Sequence, residues 1–245
     1  MKLIKLGKHL KFYICCIFLP DNMKLKYCIT GLILSFITPV IAQNNSTDSA
    51  SGAFSHKLGD AFIGGGFVLG KSNTGSSIIY GQSREFIVGA GLGYKFVKWN
   101  GIGIDVYYKS TGFFLKQDSS KTLPNNILHN SEKISFDNIG GKVFDRFYFG
   151  KVFFDGGFYF DWNFYTKHIA WDNFTVANNA GGSSTKTIDR QLVFTNPTNY
   201  GLSFRLAATT GVGLFFNYRM SNLFKSGTSY AELPAYVLGL TFGSH

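Results

Sequence analysis

The sequence predicts an all-β fold, an eight-stranded antiparallel up-and-down transmembrane β-barrel, and three observations carry that prediction. The first is alternation. Across residues 151–166, Val152, Phe154, Phe158, Phe160, Trp162 and Phe164 fall on every second position, broken only by Gly156. Lys151, Asp155, Gly157, Tyr159, Asp161 and Asn163 fill the positions between them. A period of two defines a strand with one oily and one polar face, and about 9–11 tilted residues cross a bilayer. The second is rhythm, because short and long connections between strand-like segments alternate along the chain. The third is composition. Charged residues make up only 16% of the chain, yet its mean hydropathy is +0.05, the near-zero average that alternating segments give.

The elements follow in order. A Gly-rich first strand at about 60–70 has an ambiguous facing, and residues 71–83 form the first long loop. The second strand, 84–98, sets Phe86, Val88, Leu92, Tyr94 and Phe96 against Gly89, Gly91, Gly93 and Lys95. A tight turn at Trp99-Asn100-Gly101 uses Asn-Gly, a strong hairpin signal. The third strand alternates Ile102, Ile104, Val106 and Tyr108 with Asp105, Tyr107 and Lys109. A polar loop at 116–131 contains Pro124. Strand four, about 132–149, alternates least regularly, and Gly140-Gly141 predicts a bulge there. Gly150-Lys151 turns into the aromatic fifth strand. The longest loop is expected at 167–198. Strand six sets Tyr200, Leu202, Phe204 and Leu206 against Ser203 and Arg205, and a turn at Thr210-Gly211 leads to strand seven, Val212 to Arg219. After a loop at 221–231, Tyr236, Leu238, Leu240 and Phe242 close the ring.

The amino-terminal region, 1–42, reads as a signal peptide. Lys24 and Lys26 precede an apolar run from Cys28 to Ile41 that ends in small residues at Ala42. The run is interrupted by Pro39 and is short for a membrane anchor. Met23 is expected to be the true start. Residues 43–58 read as a flexible lead-in and 59–245 as the barrel. Cys15, Cys16 and Cys28 all precede Ala42, so the processed chain has no disulfide, thiolate ligand or cysteine nucleophile. Without residues 1–42 the chain carries 18 basic and 13 acidic side chains, and no basic helix or stripe accompanies them. Nucleic acid is therefore not an expected partner.

Alternation does not by itself tell which face is buried, since a soluble lipocalin-like barrel also alternates. The export signal and the ionisable opposite face favour an oily exterior in contact with outer-membrane lipid. Phe96 and Trp99 at one end, with Trp162, Phe164 and Tyr165 at the other, suit interfacial aromatic girdles. Eight strands leave a bore just wide enough for side chains. Its expected ion-pair network contains Lys95, Asp105, Lys109, Asp155, Asp161, Arg205 and Arg219, with Tyr107 and Asn163 beside them. Pairing is the default, because a lone buried charge is costly. Negligible steady conductance follows.

Catalytic, cofactor and metal sites are not expected. Gly89-Ala90-Gly91-Leu92-Gly93 opens no helix, and Gly64-Gly65-Gly66 lacks the lysine of a P-loop. Histidines 56, 129, 168 and 245 are dispersed in sequence. His129-Asn130-Ser131 has the His-x-Ser spacing seen in a lipid A deacylase, but no orienting acid is evident in the sequence. His168, near Trp171 and Asp172, is expected at the outer rim. The third loop carries Trp171, Phe174 and Val176, more apolar surface than a solvated loop requires, and these are the candidate recognition residues. A lid folded over the mouth is the equal alternative.

From about Gly59 to His245 the chain resembles the PorT-like outer membrane β-barrel family of Gram-negative bacteria. The resemblance lies in Phe147-Tyr148-Phe149-Gly150-Lys151, Asn217-Tyr218-Arg219 and Tyr236-Val237-Leu238-Gly239-Leu240-Thr241-Phe242. It implies a small OmpA- or OmpX-like barrel and, for a few members, a place in protein-secretion machinery. The chain departs from the usual aromatic terminus in that Gly243-Ser244-His245 follows Phe242. The expectation is a non-enzymatic scaffold in the cell outer membrane, with envelope or secretion-machinery proteins as partners. The alternative is a barrel enzyme acting on lipid A or peptides.

Overall fold

The computed structural model describes residues 57–174 and 183–244, which form nine strands and, among the described residues, no helix. They are β1 (Lys57–Leu69), β2 (Arg84–Val97), β3 (Asn100–Phe114), β4 (Ser131–Phe149), β5 (Val152–Phe174), β6 (Ser183–Arg190), β7 (Thr198–Ala208), β8 (Val212–Arg219) and β9 (Tyr236–Ser244). All pairings are antiparallel, in the order β4-β3-β2-β1-β9-β8-β7-β5, and β4 pairs with β5 to close the ring. Eight strands therefore form a barrel. The ninth, β6, stands outside the ring and, among the described residues, pairs only with the distal part of β5.

Sequence chemistry explains the closed ends of the hairpins. At one end β2–β3, β4–β5 and β7–β8 are joined by Lys98-Trp99, Gly150-Lys151 and Thr209-Thr210-Gly211. Gly150 and Gly211 hold φ of 65° and 98°, a region that side chains disfavour. The other end carries the long connections: 70–83, 115–130, 191–197 and 220–235.

The wall is inverted relative to a water-soluble protein. Leu92, Val106 and Phe158 on its exterior are 66%, 58% and 69% exposed, while Asp105, Asp155 and Arg146 in the bore are 0%, 1% and 2% exposed. Trp99 and Trp162, at the two ends of the wall, also face outward.

Three local expectations are corrected. The first hairpin turns at Lys98-Trp99, because Asn100 already pairs with Val97 and the register shifts between Lys95 and Val97. Asn100 instead spends its amide on Asp145 Oδ1, at 2.6 Å. The bulge lies in β5 and not in strand four: Phe164 is the extra residue between the pairs Asp137↔Tyr165 and Asn138↔Asn163, and Gly140-Gly141 pair regularly with Asp161 and Phe160. An extra residue reverses the facing of everything beyond it. Asp161 and Asn163 are buried at odd positions below the bulge, Thr166 and His168 at even positions above it. The third difference follows from the second. The expected loop at 167–198 contains the continuation of β5, which pairs residue by residue with β6 from Lys167↔Arg190 to Phe174↔Ser183.

Candidate functional site

The bore is filled by two tiers of ionisable side chains. In the tier nearer the short turns, Arg146 of β4 is the hub. Its Nε donates to Asp155 Oδ1 at 2.6 Å and its Nη1 to Asp60 Oδ1 at 3.2 Å; its Nη2 reaches the second oxygen of each carboxylate. Arg205 of β7 donates to Asp155 Oδ2 at 2.7 Å and to Asp60 Oδ2 at 3.1 Å. Lys142 Nζ lies 2.8 Å from Asp105 Oδ2, and an Arg205 nitrogen 3.8 Å from the same atom. Three carboxylates thus face three cations. The Arg146 guanidinium also lies 4.0 Å from the centre of the Phe153 ring. Asp105, Asp155 and Arg146 are closed to solvent. Glycine supplies the room: a Cβ on Gly91 would stand 2.0 Å from Asp105 Oδ1.

Above it, Lys109 pairs with Asp161, which accepts from the Tyr107 hydroxyl at 2.9 Å. Lys109 Nζ lies 4.5 Å from the centre of the Tyr159 ring. Glu85 accepts from Thr111 at 2.9 Å and from Asn217 at 3.1 Å. An internal cavity of 40 Å³ borders Glu85, Lys109 and Asp161, and a second of 20 Å³ borders Lys142 and Arg205. At ~10–15 Å³ of centre space per water molecule, these have room for no more than a few and are too small for a channel of porin size. Over this tier the long connections fold inward as an apolar plug. Ile78, Leu123, Leu192, Leu223, Phe224 and Leu233 are buried in one cluster with Phe113 and Phe136 of the wall.

The third assembly joins the 115–130 connection to the β5–β6 hairpin, beyond the level where β7 pairs with β5. Glu132 is fully buried. His168 Nε2 lies 2.7 Å from its Oε1, and Lys121 Nζ and Gln117 Nε2 each lie 2.8 Å from its Oε2. His168 Nδ1 faces Asp189 Oδ2 of β6 at 3.0 Å. Alongside, His129 Nδ1 lies 2.8 Å from Asp172 Oδ2, and Asn173 N–H donates to Asn130 Oδ1 at 2.8 Å. Burial on its own raises the Glu132 pKa, but the hydrogen bonds from His168, Lys121 and Gln117 outweigh it and hold the group below its ordinary 4.5. For His168, burial works downward, and the bonds to Glu132 and Asp189 outweigh it, holding the ring above its ordinary 6.5.

The structure brings Asp105, Lys109, Asp155, Asp161 and Arg205 into the bore and sets the other two expected network members at its ends. Lys95 sits at the short-turn mouth, 3.8 Å above the Tyr148 ring. Arg219 sits at the loop end, 3.1 Å from Glu232 and bonded to the Leu233 carbonyl at 2.6 Å. Among the candidate recognition residues, Trp171 is half-buried and stacked on Phe114, with ring planes 7° apart and Lys186 Nζ 5.6 Å from its centre. Phe174 ends β5 opposite Ser183. Val176 lies outside the described residues, as do 1–56 with the expected signal peptide.

Sequence reasoning missed Asp60, Lys142 and Arg146, and it missed the acid beside His129. Asp172 supplies that acid. However, among the described residues no hydroxyl hydrogen-bonds His129, and Ser131 Oγ makes no bond to it. Nor do three or more His, Cys, Asp or Glu side chains among the described residues gather in a way that would hold a metal ion. No protein-family model matches the chain, and no curated protein sequence matches it.

Proposed function

We propose that this chain is a non-enzymatic outer membrane barrel of the PorT-like kind, a scaffold or component of an envelope or secretion assembly, exported by a signal peptide that is then removed. The single observation that carries the reading is the inversion of the wall. An exterior of Leu92, Val106, Phe158 and their neighbours around a bore of paired Asp, Lys and Arg is stable against acyl chains and unstable in water. In this reading the short turns face the periplasm and the long connections face outward. The filled bore argues against a porin, so recognition at the outer end is what remains for the protein to do.

The β5–β6 hairpin is the recognition element. Among the described residues β6 has a neighbour on one side only, and its residues 184–190 are exposed, so its second edge offers backbone groups to an incoming strand. Photo-crosslinking from position 186 in intact cells tests this. The reading expects an envelope protein captured there and lost when Thr185→Pro with Thr187→Pro disrupts the β6 edge of a barrel that still assembles. Capture that survives the proline variant, or equal capture from the short-turn position Lys98, refutes the hairpin's role.

One observation favours a second reading, an enzyme acting on lipid A or peptides: the contact between His129 and Asp172 orients an imidazole beside the His-x-Ser sequence. It lacks a bond to Ser131, and a base must reach its nucleophile within about 2.6–3.2 Å. Turnover of lipid A or peptide by the purified barrel, abolished by Ser131→Ala, would establish it.

A further inference from the structure

A second feature of the exterior lies where β2, β3 and β4 meet the long connections. Arg84 opens β2 and pairs with Gly112 of β3; Lys133 of β4 pairs with Phe114 one step further along. All four positions belong to the outward-facing set of their strands. Since Gly112 has no side chain, a surface hollow of 370 Å³ opens between Arg84, Gly112, Phe114, Lys133 and Gln82. Lys133 lies across the glycine: a Cβ there would stand 2.4 Å from its Cε and 2.9 Å from its Nζ. Its ammonium is 5.3 Å from the Phe114 ring centre, and the Arg84 guanidinium is 5.5 Å from that of Phe67.

Among the described residues no carboxylate pairs with Arg84 or Lys133. Two cations thus share one hollow with their charge uncompensated, although the same wall pairs its Lys167 with Asp137 at 4.0 Å. The position matters as much as the charge. Directly beneath, on the same strands, the outward residues become Phe86, Val88 and Tyr108, the start of the apolar belt. A ligand that fits carries an anion in the hollow and hydrocarbon along the wall below it. Guanidinium and ammonium groups on aromatic faces suit a phosphate ester, which accepts a forked guanidinium and a point-charge ammonium together.

We propose that the hollow between Arg84 and Lys133 binds the phosphate of a phosphorylated outer-leaflet lipid, its acyl chains running down over Phe86 and Val88. The inference rests on the membrane-barrel reading above and gives that barrel a lipid site.

The test uses the processed protein in detergent, with native mass spectrometry to count bound lipid. The probes are phosphorylated lipid A, the same lipid after phosphatase treatment, and inorganic phosphate. The variant is Arg84→Gln with Lys133→Gln; Lys98→Gln with Lys151→Gln removes equal charge at the opposite end. Loss of two charge-assisted contacts lowers occupancy by the phosphorylated lipid about tenfold or more. The opposite-end variant keeps it, and dephosphorylated lipid binds the wild type as weakly as it binds the double variant. Equal occupancy by both lipids, or an unchanged double variant, overturns the site. Inorganic phosphate that displaces the lipid at equal concentration assigns the hollow to a free anion and also overturns it. A heat-dependent gel shift run on every sample separates the two failures. A shifted barrel without phosphate preference sinks the lipid site alone, whereas a chain with no shift that stays soluble without detergent sinks the barrel as well.

Discussion

Replacing Arg146 with methionine is the sharpest perturbation of the bore. The guanidinium is 2% exposed and bonds two carboxylates, Asp60 and Asp155, along two of its N–H edges. Methionine matches its stem but leaves the tier with three acids against two cations. Removing one partner of a buried ion pair costs about 3–5 kcal/mol. Arg205 continues to donate to both carboxylates, at 2.7 and 3.1 Å, which places the expected loss at the lower end, about 3 kcal/mol. Neutralising the stranded charge in Arg146→Met with Asp60→Asn should recover about 1–2 kcal/mol, since contacting residues couple by that amount. The assay is urea unfolding of the barrel in phospholipid vesicles followed by tryptophan fluorescence. Wild type and both variants are compared at a common slope, so that a midpoint shift reports stability. A single variant within 1 kcal/mol of wild type refutes the hub role, using the ~1 kcal/mol typical of ordinary substitutions as the yardstick. So does a double variant no more stable than the single.

Further outcomes follow from other parts of the molecule. His168 should titrate above its ordinary 6.5 in an NMR pH series and fall towards that value in Glu132→Gln; a value at or below 6.5 in the wild type contradicts the assigned contacts. The sign of the linked stability is fixed. The raised His168 pKa contributes stability that is complete below 6.5 and is lost as pH rises through the folded value. The lowered Glu132 pKa contributes stability that is present above 4.5 and is lost as pH falls through its folded value. Hydrogen-exchange protection of residues 166–172 should therefore be highest between those limits and decline on both sides. In Gly140→Ala the new methyl would meet Asp161 Oδ1 at 2.3 Å and the Tyr107 ring at 2.5 Å, so a loss of about 1–3 kcal/mol is expected in the same urea assay. Planar bilayers containing the wild type should show no stable open state of porin size, and a steady conductance would contradict the packed bore.

The ring was legible because its message is a period of two. Between Val152 and Asn163 the pattern names both the strand and its inner face, and Asp155 and Asp161 followed directly. Arg146 was harder, because Val143, Asp145 and Phe147 face outward while Phe144, Arg146 and Tyr148 face inward, so charge and hydrocarbon mix on both sides of β4. The signal was nevertheless present. A two-residue turn at Gly150-Lys151 sets Arg146 opposite Asp155, whose facing is clear. Asp60 was hidden by the glycines that blur the facing of β1. The bulge at Phe164 hid the rest, because a strand that changes parity loses its alternation and reads as loop. The plug was missed for another reason. Ile78, Leu123 and Leu233 lie in three separate connections, and only closure of the ring brings them together.

The central claim is that the hydrocarbon side of the wall meets lipid and the ionisable side meets itself. Cys15, Cys16 and Cys28 all precede Ala42, so in a chain begun at Gln43 single spin labels report without interference. Labels placed at Val106 and at Ser203, with the barrel in vesicles, test the claim by oxygen and nickel-chelate accessibility. The account predicts that the Val106 label is open to oxygen and closed to the chelate, and that the Ser203 label is closed to both. A Val106 label open to the chelate and shielded from oxygen, on a protein that remains in solution without lipid, would contradict it.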